Sequence, residues 1–264
     1  MTNPNQRQKF FQPSLDNIDI RQDASLEDFV GECYQPLLNA VHQLCSGQMT
    51  ELFVVGKKGF GKTHLAMAIY DEYTNQGLDV IYISFAELVM GEEDENALSG
   101  LEHFDLVILD DVGAISGNDY WQEALFHLIN RVRNQQKQLL FLADNPAGEL
   151  HITLLDLVTR LSLAPMIDLP VIEDLIDRSA LINHMLQRKN WRLPDEILAH
   201  LITEGPQNSG DIAIVLENIS PLLTHLSRVQ VPKKIIEKAR QVIERETLLL
   251  ELSDYVFDDD LLDS

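Results

Sequence analysis

A glycine-rich segment is the part of the chain best suited to chemistry on phosphates. Residues 56–63 read GKKGFGKT and match the phosphate-loop pattern G-x4-G-K-[ST] in full. Glycines let backbone N–H groups curl around an anion, a lysine neutralises phosphate charge, and a threonine supplies a hydroxyl to Mg²⁺. The segment follows an apolar run and precedes a helix-like pattern, as the motif requires. We therefore predict nucleotide binding by Gly56, Gly59, Phe60, Gly61, Lys62, Thr63 and His64.

Two carboxylates end a later apolar run, Leu106–Leu109. An apolar strand that ends in two aspartates is common, and its place after a complete phosphate loop favours a functional interpretation. In this interpretation Asp110, together with Thr63, orients Mg²⁺, and Asp111 polarises an attacking water.

Apolar runs alternate with helical patterns before and after these motifs, which predicts a parallel sheet covered on both faces, an α/β fold. From residue 173 to about 245 only helical periodicity is present, which predicts a small all-helical domain. The predicted bounds are 1–23 for a flexible arm, 24–170 for the α/β nucleotide-binding domain, 171–247 for the helical domain and 248–264 for an acidic tail.

The composition excludes several classes of protein. The 264 residues include 42 acidic and 20 basic side chains, a net charge of −22, and 45 % are hydrophobic, enough for a core. The chain has no apolar run long enough to span a membrane and no signal-peptide core, and we expect a cytoplasmic protein. The acidity disfavours independent nucleic-acid binding, since phosphate backbones repel such a surface.

The ordered motifs resemble those of AAA+ ATPases of the DnaA branch, and within that branch the Hda group, regulators that inactivate the replication initiator DnaA. The resemblance is carried by residues 53–65, 108–112, 121–131, 140–146 and 154–161. It implies an AAA+ nucleotide domain followed by a helical lid, with ADP or ATP and Mg²⁺ as cofactors. It also implies that Asp144 lies in the sensor 1 turn at the nucleotide, and that Arg160 is an arginine finger offered to ATP held by DnaA.

Two positions depart from the pattern of these relatives. Gly210 stands where the resemblance places the sensor 2 arginine, and no nearby arginine replaces it, so we expect weak ATP hydrolysis by the chain itself. Hda-group proteins also carry an N-terminal peptide that docks into the DNA polymerase sliding clamp. The nearest match contains Gln12, Ser14 and Leu15, although a polar arm with a coincidental match is equally compatible.

The leading hypothesis is a regulator of replication initiation that acts with the sliding clamp to promote hydrolysis of DnaA-bound ATP. The chain ends where DnaA would continue into a DNA-binding domain, and we expect a regulator for that reason too. The alternatives are a helicase loader resembling the DnaC group, which hydrolyses ATP itself, and a nucleotide-stabilised interaction scaffold. Expected partners are DnaA and the clamp, a homo-oligomer is the further option, and no membrane association is expected. Arg131 and Arg133 lie on a helix at positions that often face the next subunit in related ATPases, and we interpret them as part of a solvated helix face.

Overall fold

The computed structural model describes residues 24–91, 97–223 and 232–259. They group into two compact units. The α/β unit contains residues 37–57 and 62–168, and the helical unit contains residues 27–36, 58–61 and the chain from 169 onward. The predicted arm, with Gln12, Ser14 and Leu15, lies outside the described residues.

Five parallel strands form the sheet of the α/β unit, as the alternating apolar runs predict. The order across the sheet is β2-β3-β4-β1-β5. Val55 of β1 pairs with Ala143 of β4, and Leu109 of β3 pairs with Phe141 of β4. The strands are β1 (Glu51–Val55), β2 (Val80–Ser84), β3 (Leu106–Asp110), β4 (Gln138–Ala143) and β5 (Met166–Asp168).

Helices cover this sheet, and β1, β3 and β4 are apolar along nearly their whole length because both faces are buried. The interior of the unit is one continuous cluster of aliphatic and aromatic side chains with Trp121 and Phe141 among its largest members. The helices are α1 (Gln35–Cys45), α2 (Lys62–Asn75), α3 (Phe85–Met90), α4 (Asp119–Asn134) and α5 (Leu155–Ser162).

Helix α4 shows how the sequence fixes one of these elements. The side chain of Asn118 caps its first turn by accepting from the N–H of Trp121 at 3.1 Å. Leu125, Ile129 and Val132 then recur at helical spacing and are fully buried. One face of α4 therefore packs against the core of the unit. The last turn of the helix lies at the edge of that core.

The helical unit contains α6 (Leu175–Arg188), α7 (Asp195–Glu204), α8 (Ser209–Leu223) and α9 (Lys233–Asp259). Residues 27–36 belong to this unit, although the predicted bounds assign them to the α/β domain. Asp28 pairs with His184 and Arg188 of α6. Asp177 of α6 accepts the N–H groups of Glu32 and Cys33 at 2.8 and 3.0 Å. These contacts join positions about 150 residues apart in the chain, and local patterns do not reveal them.

Helix α9 continues to Asp259, beyond the predicted start of the acidic tail at residue 248. Ala239, Ile243 and Thr247 are buried at intervals of four residues, and this face of α9 contacts α7 and α8. Beyond residue 247 the helix continues with exposed leucines at 248, 249 and 252, so its length is not set by burial of an apolar face. The predicted domain bounds stay a prediction. Within the described ranges, no helix combines the length and the apolar character needed to cross a membrane.

Candidate nucleotide-binding site

The chemistry-bearing residues of the α/β unit meet at the carboxyl ends of three neighbouring strands. Gly56 follows β1, Asp110 ends β3 and Asp144 follows β4. Since β4 lies between β1 and β3 and all three are parallel, these residues share one edge of the sheet. Ligands of open α/β sheets bind at this edge.

Lys62 is the most confined charge at this edge. It is 7 % exposed, and its ammonium donates to the carbonyl oxygens of Gly56 and Lys57 at 2.7 and 3.2 Å. Its third contact is the carboxylate of Asp144 at 2.5 Å, a side chain that is 59 % exposed. A buried ammonium requires such compensation. The pairing places Asp144 of the predicted sensor 1 turn directly beside the phosphate-loop lysine.

Thr63 and Asp110 lie side by side, as the predicted Mg²⁺ site requires. The Thr63 hydroxyl donates to Oδ2 of Asp110 at 2.8 Å, and the Tyr82 hydroxyl donates to the same oxygen at 2.9 Å. The other carboxylate oxygen accepts the N–H of Asp111 at 2.9 Å. A hydroxyl and a fully buried carboxylate in contact fit a hard cation that takes its remaining ligands from phosphate and water.

Asp111 lies next to this pair in a strained backbone conformation, with φ of +54°. Burial raises the pKa of its carboxyl group, and the neighbouring charge of Asp110 raises it further. The nearest side-chain donor is the Ser84 hydroxyl, at a long 3.4 Å. A carboxyl group whose pKa is raised is better suited to accept a proton from water than an exposed one, as the predicted role requires.

The tip of the phosphate loop, residues 58–61, belongs to the helical unit. Gly59 and Gly61 have φ of +84° and +93°, a region that glycine enters without strain. The carbonyl oxygens of the tip face the first turn of α8. The N–H of Gly210 donates to Gly59 O at 2.8 Å, and the Ser209 hydroxyl donates to the carbonyl of Phe60 at 3.2 Å.

The approach of α8 explains the glycine at position 210. A Cβ atom added there would lie 2.3 Å from the carbonyl oxygen of Gly59, closer than any tolerated contact. Asn208 shapes this turn by accepting from the N–H of Asp211 at 2.8 Å and donating to its carboxylate at 2.6 Å. The position where the resemblance leads us to expect a sensor 2 arginine is therefore used for backbone contact, and this arrangement has no room for a side chain.

Arg160 lies on α5 and contacts α4, not the residues around Lys62. Its guanidinium carbon is 5.6 Å from the centre of the Phe126 ring, within the range of a cation–π interaction. Among the described residues of the α/β unit there are three arginines. Arg131 pairs with Glu102 and Arg133 with Glu51, whereas Arg160 forms no ion pair within those residues. The interpretation as a solvated face is wrong for Arg133, whose side chain is 21 % exposed and held by Glu51 and the carbonyl of Arg160. The side chain of Arg131 is 38 % exposed, and Glu102 and the carbonyl of Leu98 hold its guanidinium.

The remaining predicted residue, His64, is half-buried in the first turn of α2. Sequence reasoning missed Tyr82 and Ser84, whose hydroxyls contact Asp110 and Asp111. Both lie on β2, a strand that is otherwise aliphatic. A hydroxyl-bearing side chain near the carboxyl end of an aliphatic strand is the signal that could have found them.

A comparison with models of protein families identifies the family of the α/β unit. Residues 25–168 match the family described as the bacterial DnaA ATPase domain. The chain belongs to this family. The match covers the phosphate loop, the strand ending in Asp110 and the segment that contains Arg160, while the helical unit beyond residue 168 lies outside it.

Relatives of this DnaA-family chain agree with the assignment. An uncharacterised protein of Haemophilus influenzae is 32 % identical over 183 residues, 69 % of this chain and 78 % of the relative. Domain III of the Thermotoga maritima initiator DnaA shares the fold with a TM-score of 0.72 at 22 % identity, over 86 % of this chain and 98 % of that one.

A structure of AMPPCP-bound DnaA from Aquifex aeolicus is 27 % identical, with a TM-score of 0.62, over 74 % of this chain and 64 % of that one. The chain spans about half the length, 46 % and 48 %, of two DnaA initiators that it matches. The comparisons confirm the predicted AAA+ fold.

The contact between α8 and the loop tip predicts the effect of a methyl group at position 210. Gly210→Ala forces the two backbones apart and weakens the hydrogen bond to Gly59, at a cost of about 1–3 kcal/mol for overpacking. We expect a melting temperature lower by roughly 2–12 °C. Gly148→Ala is the control, because a Cβ at Gly148 meets nothing within 4 Å. Equal melting temperatures for both variants would show that the contact contributes nothing.

The raised pKa of Asp111 predicts how stability depends on pH. Because the unfolded chain releases the Asp111 proton at a lower pH than the folded protein, the cost in folding stability appears as the pH rises above the pKa of the unfolded carboxyl group and is complete above the raised pKa of the folded one. Asp111→Asn removes the cost, and we expect a higher melting temperature at pH 8 and a difference that narrows as the pH falls. Asp156→Asn, which removes an exposed carboxylate, is the control. A variant less stable than wild type at pH 8 contradicts the assignment.

Proposed function

We propose that this protein is a nucleotide-binding regulator of DNA replication initiation of the Hda type. It binds ADP or ATP with Mg²⁺ and promotes hydrolysis of ATP held by a DnaA initiator. Membership of the DnaA family supports an activity in replication initiation. The AMPPCP-bound relative supports an adenine nucleotide as the ligand.

Lys62, Thr63 and Asp110 hold the nucleotide and its cation in this proposal. Lys62 exchanges its contact with the exposed carboxylate of Asp144 for phosphate oxygens, and Thr63 and Asp110 supply two oxygen ligands to Mg²⁺. The phosphate anhydride that is cleaved in this proposal belongs to the ATP held by the DnaA initiator. Hydrolysis by the chain itself is weak in the proposal, since position 210 provides no cation to the γ-phosphate.

The regulatory part of the proposal rests on one observation, that Arg160 forms no ion pair among the described residues. Within that part of the chain, this half-buried arginine lies over the ring of Phe126 and pairs with no carboxylate. Its cation is thus available to an anion brought by another molecule. An arginine supplied in trans to a γ-phosphate stabilises the transition state of hydrolysis. The acidic surface, in turn, favours a protein as the partner over free nucleic acid.

The sliding clamp is the second proposed partner, through the segment of Gln12, Ser14 and Leu15. This part of the proposal rests on the sequence and on the resemblance to the Hda group. A pull-down with purified clamp tests it, since removal of residues 1–20 abolishes the association if the segment is the contact.

Removal of the Arg160 guanidinium tests the regulatory activity. Purified DnaA loaded with ATP is mixed with clamp and with wild-type or variant protein, and phosphate release is measured. We expect Arg160→Ala to lower the stimulated rate by about 10³ or more, to that of DnaA alone, because the finger is lost. Its own affinity for nucleotide stays unchanged, since the side chain has no contact with Lys62 or Asp110 among the described residues.

Arg245→Ala removes the same charge from an exposed position and serves as the control. Normal stimulation by Arg160→Ala contradicts the proposal. ATP turnover by the isolated wild-type protein that DNA stimulates would instead favour the helicase-loader alternative.

A further inference from the structure

The side chain of Arg133 joins three elements of the α/β unit. It lies in the last turn of α4 and forms a fork with Glu51, the first residue of β1, in which Nε and Nη2 lie 2.5 and 2.7 Å from the two carboxylate oxygens. Nη2 also donates to the main-chain carbonyl oxygen of Arg160 at 3.0 Å. The side chains of Arg133 and Glu51 are only 21 % and 12 % exposed. A bidentate ion pair that is largely shielded from solvent fixes the orientation of both side chains.

The carbonyl that Arg133 contacts lies in the last turn of α5. Carbonyl groups in the last turn of a helix have no N–H partner within that helix. The local donor to Arg160 O is the N–H of Leu163, at a long 3.4 Å. The guanidinium of Arg133 supplies the shorter bond and places a positive charge at the carboxyl end of the helix, where it is favourable. The turn that bears Arg160 is therefore held from outside its own helix.

We propose that Arg133, fixed by Glu51, is a positioning residue for Arg160. It sets the backbone from which the Arg160 side chain extends toward the nucleotide of the partner. A lysine places a single ammonium where arginine has a planar fork of N–H groups, so it cannot reproduce the two parallel hydrogen bonds to Glu51 together with the bond to the carbonyl of Arg160 in the same geometry. This inference rests on the proposed function, because it gives Arg160 the role of a finger.

Arg131 provides a matched control on the same helix. It too joins a carboxylate to a main-chain carbonyl, those of Glu102 at 3.1 Å and Leu98 at 2.7 Å. Neither acceptor belongs to α5. Substitution of Arg131 thus removes the same kinds of contact from α4 without changing the support of Arg160.

The experiment compares Arg133→Lys with Arg131→Lys in the clamp-dependent hydrolysis of DnaA-bound ATP. The stimulated rate is recorded against protein concentration, which separates the maximal rate from the concentration that gives half of it. A displacement of a reacting group by about 1 Å lowers the rate by up to about a hundredfold. We expect Arg133→Lys to lower the maximal rate between about tenfold and a hundredfold, with an unchanged half-maximal concentration and nucleotide affinity. Arg131→Lys retains the full maximal rate.

Each outcome decides the proposal. Equal maximal rates for the two lysine variants overturn it, because they reduce Arg133 to a structural residue like Arg131. If Arg133→Lys does not fold, Glu51→Gln, which releases the fork and preserves its shape, takes its place with the same expectation. Normal stimulation by Arg160→Ala would show that the proposed function has failed. Loss of stimulation in Arg160→Ala together with full stimulation in Arg133→Lys shows that only the positioning role has failed.

Discussion

The candidate site depends on one constraint: the buried ammonium group of Lys62 must have hydrogen-bond acceptors around it. Lys62 is nearly enclosed, and an unpaired charge in such a place is strongly unfavourable. Only the carboxyl edge of a parallel sheet brings a carbonyl after β1 and a carboxylate after β4 to the same point. The neighbouring position of β3 then sets Asp110 against the hydroxyl of Thr63. The strand order, the glycine-rich loop and the acidic strand ends are parts of one arrangement around this lysine.

Short-range patterns predicted much of this arrangement. The phosphate loop, the apolar strands and the carboxylates at their ends are each local in sequence, and their meeting follows from parallel strand topology. The predicted α/β fold is confirmed, and the structure brings Lys62 to Asp144 and Thr63 to Asp110. The binding and catalytic roles of these residues stay predictions.

Long-range contacts account for what the sequence patterns did not predict. The salt bridge between Asp28 and Arg188 draws residues 27–36 into the helical unit, and nothing near residue 28 signals a partner 160 positions later. Arg133 looked like a surface residue because its acceptors, Glu51 and the carbonyl of Arg160, lie on other elements. The reason for Gly210 also became visible only with the backbone of Gly59 beside it.

Lys62 and Arg160 are proposed to act on two different nucleotides. Lys62 is compensated within its own unit and is proposed to serve the chain's own nucleotide. The guanidinium of Arg160 lies over the Phe126 ring, forms no ion pair among the described residues, and is proposed to serve the nucleotide of a partner. This proposed division suits a regulator, since the chain has the fold of a nucleotide-binding domain and the proposed finger would act on the nucleotide of another protein. The acidic composition is compatible with that task and unfavourable for tracking along DNA.

The central claim is that the buried ammonium of Lys62 is the group that binds phosphate. The most direct test is calorimetric titration of ADP and ATP into Lys62→Ala and into Lys57→Ala, which removes an exposed lysine of the same loop. A charge-assisted hydrogen bond to phosphate contributes about 1.5–3 kcal/mol. The account therefore predicts that Lys62→Ala loses affinity for both nucleotides by more than about tenfold, whereas Lys57→Ala binds nearly as wild type. Unchanged affinity in Lys62→Ala would contradict it.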